Sequence, residues 1–249
     1  MNNLSLGHIF LYETLGTMLL LLLGTGVVAT AILKSSKGEG GGWLLINFGW
    51  GLGVFVGVYV AFPTGGHLNP AVTVSQWMMG NINAAQAFTY FGAEFLGAFL
   101  GAVLCWLAFR DHFDAEEDPG KKLGVFSTGP AIRNPLWNAI TEVIATFVLI
   151  FWVLISGGTP TQVGPLAVAL VVVGIGASLG GPTGYAINPA RDLGPRIAHA
   201  ILPIKGKGTS DWGYAWIPVV APIIGAVLAT LLFQATDAGD LISALKPSS

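Results

Sequence analysis

The chain is organised by long runs of apolar residues that short polar segments separate. Six such runs cover residues 9–33, 43–62, 84–109, 137–155, 163–179 and 214–234. A helix needs about 20 consecutive apolar residues to cross the hydrocarbon core of a bilayer, and each run has that length or comes close to it. The pattern therefore predicts six membrane-spanning helices.

Two further apolar segments, at 70–79 and 189–200, are too short to span a membrane. Segments of this length more often lie in a core or enter and leave the bilayer on one side. Each segment begins with Asn-Pro. Asparagine is a strong helix N-cap, and proline suits the first helical turn. We therefore expect two short helices that Asn69 and Asn188 cap.

Composition agrees with a membrane protein. Of the 249 residues, 53% are hydrophobic and only 10% are charged, whereas a soluble domain has about 25% charged residues. The formal net charge of −2 argues against a nucleic-acid partner, which requires a basic face. The single cysteine, Cys105, excludes an internal disulfide and a CxxC metal or redox site. The expected surroundings of this chain are a lipid bilayer.

An internal repeat relates the two halves of the chain. Glu-Thr-Leu-Gly-Thr at 13–17 in the first run matches Glu-Val-Ile-Ala-Thr at 142–146 in the fourth. Similarly, the segment 65–72 follows the second run and contains Asn-Pro-Ala, as does the segment 184–191 after the fifth. Each half is therefore predicted to hold two spans, one short helix and a third span.

Three spans in each half place the second half upside down in the bilayer, which makes an inverted repeat. We expect one membrane channel domain over residues 1–249, with halves at approximately 1–110 and 134–236. The two short helices would meet N-terminus to N-terminus near the midplane, and the positive ends of their dipoles would point there. The amides of Asn69 and Asn188 would then offer hydrogen-bond donors to a passing water or hydroxyl.

These motifs resemble the aquaporin or major intrinsic protein family over nearly the whole chain. The resemblance rests on the duplicated Asn-Pro-Ala, the paired Glu-x-x-(Gly/Ala)-Thr and the run Asn-Pro-Ala-Arg-Asp at 188–192. It implies an all-α membrane protein with six transmembrane helices and two re-entrant half-helices, one pore per chain and a homotetramer. The implied pore-centre residues are Asn69, Pro70, Ala71, Asn188, Pro189 and Ala190.

Two glutamates, Glu13 and Glu142, lie in the middle of predicted spans, where an ionisable group is costly without partners. The irregular backbone before each short helix has N–H groups that need acceptors, so a buried carboxylate serves both needs. The resemblance implies the same loop-bracing role, and His67 is expected to hydrogen-bond in the first loop. The alternative is a proton-coupled secondary transporter that uses Glu13, Glu142 or the additional mid-helix Glu94.

Arg191 directly follows the second Asn-Pro-Ala, where it would present fixed donors to a solute and repel cations. The resemblance places Trp50, Gly176 and Tyr185 with it in a selectivity filter. Water-selective members typically carry a histidine at the position of Gly176 and a small residue near Tyr185. The resemblance therefore implies the glycerol facilitator branch.

Two aromatic rings would face the CH backbone of a polyol while Arg191 binds its hydroxyls, and Gly176 would leave room for them. The predicted function is a passive channel for glycerol, other small neutral solutes and water that excludes ions and protons. The alternative within this fold is a mainly water-selective channel in which the Tyr185 hydroxyl blocks glycerol. The sequence contains no nucleophile–base pair, glycine-rich phosphate loop or metal cluster, so we expect no enzyme, cofactor or metal.

Two arguments about orientation disagree. The connections on one side carry nearly all of the basic loop residues, namely Lys34, Lys37, Arg110, Lys121, Lys122, Arg133, Lys205 and Lys207. The positive-inside rule would place them in the cytoplasm, whereas the resemblance implies a multi-pass plasma-membrane protein with both termini cytoplasmic. We adopt the second orientation, because acidic residues dilute the positive charge of the long connection.

Overall fold

The structure is a computed structural model, and it describes residues 4–156, 163–236 and 238–239. The described residues form ten α-helices and one short 3-10 helix at Phe62–Thr64, without any β-strand. The α-helices are α1 (Leu6–Ile32), α2 (Gly42–Val60), α3 (Pro70–Met78), α4 (Ala84–Ala108), α5 (Arg110–Ala115), α6 (Pro119–Phe126), α7 (Pro135–Ser156), α8 (Pro165–Leu179), α9 (Pro189–Ile201) and α10 (Ile217–Ala235).

Five of the described helices, α1, α2, α4, α7 and α10, are long and apolar enough to cross a membrane. The fifth predicted span corresponds to α8, which has 15 residues. At 1.5 Å per residue this helix is about 22 Å long, shorter than the hydrocarbon core. It begins at Pro165, and residues 157–162 lie outside the described part of the chain. The described part of this span is therefore shorter than the apolar run predicts.

The two short helices begin where the Asn-Pro pattern predicts. Asn69 caps α3, and its Oδ1 accepts a hydrogen bond from Ala71 N at 2.9 Å. Asn188 caps α9, and its Oδ1 accepts from Ala190 N at 3.0 Å. The proline that follows each asparagine occupies the first turn, where its missing N–H costs nothing.

The long helices pack in pairs around the short ones. Helix α1 packs against α2 and α4, α10 packs against α7, and α2 packs against α8. Each short helix packs against a long helix of the other half: α3 packs against α10, and α9 packs against α4. Close packing of α1 on α4 requires Gly97, because a Cβ atom there would lie 2.4 Å from the Thr14 carbonyl oxygen.

The connection at 110–133 is more ordered than its charged sequence indicates. It contains α5 and α6, which the apolar pattern does not predict. Between them, the Glu116 carboxylate accepts hydrogen bonds from Glu117 N at 2.9 Å and Asp118 N at 3.0 Å. It also accepts from Lys34 N at 3.1 Å, which ties the connection to the end of α1.

Candidate functional site

A cavity of about 980 Å³ extends into the protein from the exposed side chain of Phe62. Its wall includes six predicted site residues, Trp50, His67, Asn69, Tyr185, Asn188 and Arg191. Seven others are buried and do not line it, namely Glu13, Pro70, Ala71, Glu142, Gly176, Pro189 and Ala190. The fold thus brings the predicted polar residues of both halves to one space.

In the wall of this cavity, the capping asparagines link the two halves. Asn69 Nδ2 donates to the carbonyl of Ile187 at 2.8 Å, and Asn188 Nδ2 donates to the carbonyl of Leu68 at 2.8 Å. A side-chain amide has two N–H groups. Each asparagine therefore uses one N–H to hold the opposite loop and keeps the second for a molecule in the cavity.

The loop before α3 is held by the buried Glu13. Its Oε1 accepts hydrogen bonds from Thr64 Oγ1 at 2.8 Å and from His67 N at 3.2 Å, and its Oε2 accepts from Leu68 N at 2.9 Å. The carboxylate thus satisfies backbone donors that have no water to bond inside a membrane.

The loop before α9 has the same arrangement around Glu142. This carboxylate accepts hydrogen bonds from Thr183 Oγ1 at 2.6 Å and from the backbone N–H groups of Ala186 and Ile187, each at 2.9 Å. Thr64 and Thr183 were not predicted as site residues. Pro-Thr-Gly recurs before both Asn-Pro-Ala motifs, at 63–65 and 182–184, and this signal identifies both threonines.

These two loops have an unusual backbone conformation. Leu68 has φ 55° and Ile187 has φ 44°. Side chains other than glycine rarely adopt the left-handed region, and a β-branched residue such as isoleucine does so least. Both residues donate their N–H groups to the glutamates, and their carbonyls accept hydrogen bonds from the asparagines, which stabilises this conformation.

His67 contributes its ring to the cavity wall. The ring stacks on Tyr90 with centroids 4.0 Å apart, and Nδ1 lies 2.9 Å from Thr73 Oγ1. The Thr73 hydroxyl also hydrogen-bonds to Glu94 Oε1 at 2.7 Å, so His67, Thr73 and Glu94 form one hydrogen-bonded chain.

At the other end of the cavity, Arg191 stacks on Trp50. The guanidinium carbon lies 3.9 Å from the ring centroid, within cation–π range. The Nη1 atom donates to the carbonyl of Phe126 at 3.3 Å, which fixes the plane of the guanidinium. The arginine is nearly buried yet forms part of the cavity wall. It therefore presents fixed donors beside an aromatic face.

Tyr185 completes this end of the cavity with its ring and not with its hydroxyl. The ring lies edge-on to Trp43, with centroids 5.8 Å apart. The hydroxyl is buried and has no hydrogen-bond partner within the described ranges. Gly176 lies behind the ring, where a Cβ atom would be 2.7 Å from Tyr185 Cζ. The glycine thus makes room for protein side chains, and it does not leave open space on the cavity wall.

A second cavity of about 180 Å³ adjoins the first at this point. Trp50, Tyr185 and Arg191 line both cavities. These three side chains therefore form the boundary between the two spaces. We call this set the filter.

A buried ion pair anchors the loop beside the filter. Asp192 Oδ1 accepts from Arg196 Nε at 2.7 Å, and both side chains are fully buried. Asp192 Oδ2 accepts from Thr128 N and Thr128 Oγ1, each at 2.7 Å, while Arg196 Nη2 donates to the Thr128 carbonyl at 2.9 Å. This pairing satisfies both charges inside the protein, and it holds the connection between the halves next to Arg191.

The described residues contain no group of three or more His, Cys, Asp or Glu side chains that would hold a metal ion. The chemistry that the site offers is thus hydrogen bonding, aromatic contact and positive charge. All three suit the passage of a small neutral molecule.

Comparison with known proteins points the same way. The chain is 51% identical over 225 residues to a glycerol uptake facilitator protein of Streptococcus pneumoniae, covering 89% of this chain and 96% of that protein. It is 50% identical over 229 residues to a probable glycerol uptake facilitator protein of Thermotoga maritima, covering 91% of this chain and 98% of that protein.

The fold also matches a solved structure. The X-ray structure of the aquaglyceroporin from Plasmodium falciparum superposes with a TM-score of 0.82 at 29% identity, covering 96% of this chain and 100% of that one. The sequence model of the family described as Major intrinsic protein matches residues 2–233. On its sequence and its all-helical fold, the chain belongs to the major intrinsic protein family.

Proposed function

We propose that the protein is a passive membrane channel for glycerol, other small neutral solutes and water. Residues 1–249 form one channel domain, with repeat halves at approximately 1–110 and 134–236. The observation that carries this proposal is the filter, where one arginine and two aromatic rings bound two adjoining cavities. The glycerol uptake facilitators among its relatives support the choice of solute.

The filter suits a molecule with one polar edge and one apolar edge. The N–H groups of Arg191 that are not bonded to Phe126 donate to hydroxyl oxygens and replace the hydrogen bonds that a solute loses on leaving water. The ring of Tyr185, together with the part of the Trp50 ring that Arg191 leaves uncovered, contacts the CH groups on its other edge. Glycerol has both edges, and water also fits.

The same groups oppose the passage of ions. A cation meets the charge of Arg191 and then the N-terminal ends of α3 and α9, whose dipoles are positive. At the centre, Asn69 and Asn188 each offer an N–H donor, which orients the oxygen of a passing water toward them. Protons and other cations are therefore excluded while neutral molecules pass.

The two alternative functions, a mainly water-selective channel and a proton-coupled transporter, agree less well with these contacts. A mainly water-selective channel requires the Tyr185 hydroxyl in the lumen, but that hydroxyl is buried. A proton-coupled transporter requires a carboxylate that is free to exchange protons. Glu13 and Glu142 each accept three hydrogen bonds from fixed donors, which favours a bracing role. Glu94 is fully buried and does not line the cavity, so its carboxyl group has no contact with water there.

We further propose a multi-pass plasma-membrane protein that forms a homotetramer in the bilayer, with both termini cytoplasmic. Many large apolar side chains on the long helices are exposed, as lipid or subunit contacts require. Several basic loop residues have local partners, which weakens their effect on orientation. Lys121 pairs with Glu116, and Arg133 pairs with Asp211.

The proposal is tested by stopped-flow light scattering on proteoliposomes that contain the purified protein. We expect fast water and glycerol permeation with a low activation energy, a rate linear in solute concentration, and no effect of a pH gradient. Arg191→Val should change the selectivity among water, glycerol and ions. Arg110→Ala, which alters an exposed arginine paired with Asp114, is the matched control and should behave as the parent.

Two results would reject this function. Fast water permeation with glycerol at the rate of empty vesicles would indicate a water-selective channel. Glycerol uptake that follows an imposed pH gradient would indicate a proton-coupled transporter.

A further inference from the structure

Asn47 is a fully buried polar residue that none of the contacts described so far explains. It lies in α2, three residues before Trp50 and therefore one turn away from the filter. Neither its Oδ1 nor its Nδ2 has a hydrogen-bond partner within residues 4–156 and 163–236. A buried amide without partners is destabilising, so a partner is expected nearby.

The hydroxyl of Tyr185, near Asn47, is also buried without a hydrogen-bond partner in the described residues. A Cβ atom on Gly176 would lie 2.4 Å from Asn47 Oδ1 and 2.7 Å from Tyr185 Cζ. These distances limit the separation of Asn47 Oδ1 and Tyr185 Cζ to about 5 Å. The phenol oxygen is bonded to Cζ, so a change in side-chain rotamer or one bridging water would join it to Asn47. Asn47 and Tyr185, which both have polar atoms without hydrogen-bond partners, thus lie next to the same residue, Gly176.

The groups around Tyr185 leave its hydroxyl few other partners. Trp43 packs edge-on against the ring, but its Nε1 donates to the carbonyl of Gly176 at 3.0 Å. Arg191 stacks on Trp50 and donates to Phe126. Without Asn47, the place where the Tyr185 hydroxyl would find a partner is the water in the cavity.

We propose that Asn47 is a positioning residue for the filter, which binds the Tyr185 hydroxyl directly or through one water. This contact holds the hydroxyl behind the wall, so that a passing solute meets only the apolar ring. The selectivity for polyols therefore depends on a polar residue that never touches the solute. This inference rests on the proposed function as a glycerol channel.

The test is a double-mutant cycle on the ratio of glycerol to water permeability in proteoliposomes. Asn47→Leu removes both polar atoms at similar volume, so the Tyr185 hydroxyl turns to the cavity. We expect the ratio to fall by about three- to tenfold, the range that one lost hydrogen bond produces. Combining it with Tyr185→Phe should restore the ratio, because no hydroxyl then needs a partner. Damage to the fold would not be repaired by this second change.

Asn47→Ser provides the conservative variant, since its hydroxyl still bonds a water, and it should keep the ratio near that of the parent. The inference is overturned if Asn47→Leu leaves the ratio of glycerol to water permeability unchanged. It is also overturned if this ratio is as low in the double variant, or in Asn47→Ser, as it is in Asn47→Leu.

A structural measurement separates this inference from the proposed function. A high-resolution experimental structure of the parent protein should show Tyr185 Oη within 3.5 Å of an Asn47 amide atom or of a water that both share. A hydroxyl that points into the cavity would contradict the inference, whatever the protein conducts. Failure of the parent to conduct glycerol would reject the function alone.

Discussion

The glutamates of this chain differ in role because their surroundings differ. Glu13 and Glu142 are buried and accept hydrogen bonds from backbone and threonine donors. Glu94 is equally buried, but the structure gives its Oε1 one hydrogen bond from Thr73 and its Oε2 no hydrogen-bond partner in the described chain. Glu117, by contrast, has a side chain that is 90% exposed. Replacing each one therefore tests a different property.

Glu13→Ala should prevent or strongly reduce accumulation of folded protein. It leaves the N–H groups of His67 and Leu68 buried without acceptors, at a cost of about 1–3 kcal/mol each. The measurement is the yield of monodisperse protein after detergent extraction. Glu117→Ala is the control for loss of a glutamate, and its yield should equal that of the parent. Normal yield of Glu13→Ala would show that the brace is dispensable.

Glu94→Gln should retain the glycerol and water permeability of the parent. Glutamine keeps the shape of the side chain and an Oε1 that accepts from the Thr73 hydroxyl, so the contact to His67 persists. Proteoliposome flux with and without a pH gradient is the measurement. Loss of solute flux in this variant, together with gradient dependence in the parent, would support the transporter alternative.

At the scale of elements, the fold depends on close contact between helices more than on their individual hydropathy. The long helices are apolar on most sides, so periodicity alone does not show which face meets which neighbour. Small residues mark these faces, because association in lipid relies on close packing. Gly97 in α4 and Gly174 in α8 are both helical glycines, yet only the first meets a neighbour.

Gly97→Ala should destabilise the protein by about 1–3 kcal/mol, the usual cost of overpacking. The new methyl group would lie 2.4 Å from the Thr14 carbonyl and force α4 away from α1. A thermal unfolding curve in detergent measures the change. Gly174→Ala is the matched control, since no atom lies within 4 Å of its Cβ position, and it should not lower the transition. Equal transitions for both variants would contradict this packing.

At the scale of the whole molecule, the connection at 110–133 links the two halves and also reaches the filter. Thr128 bonds to the buried pair of Asp192 and Arg196, and the carbonyl of Phe126 accepts from Arg191. Near its start, Glu116 ties the connection to α1 through Lys34 N. The segment therefore forms part of the site, although its charge pattern resembles that of an ordinary exposed loop.

The contact at Glu116 predicts a dependence of stability on pH. Burial raises the pKa of the Glu116 carboxyl, but hydrogen bonds from Asp118 N, the Lys121 ammonium and Glu117 N outweigh it, so the pKa lies below the usual value. A lowered pKa in the folded state stabilises the protein above the unfolded-state pKa of about 4.3, and this stabilisation is lost as pH falls through the folded-state pKa.

Glu116→Gln should therefore lower the thermal transition by a few degrees near neutral pH, and the difference from the parent should shrink as the pH falls below about 4. Unfolding curves at a series of pH values provide the measurement. Glu117→Gln, at a largely exposed site, should have the same thermal transition as the parent at every pH value. A constant difference between Glu116→Gln and the parent at all pH values would contradict the assignment.

The apolar runs and the repeated motifs were sufficient to predict the spans, the two capped short helices and the matching positions of Glu13 and Glu142, because these features depend on local composition and on sequence repetition. The packing of the folded chain settles which side chains share a cavity wall and which atoms face it. It placed Gly176 behind the filter and buried the Tyr185 hydroxyl beside Asn47. Asn47 is more than a hundred positions from both Gly176 and Tyr185, so this geometry arises only when the helices pack.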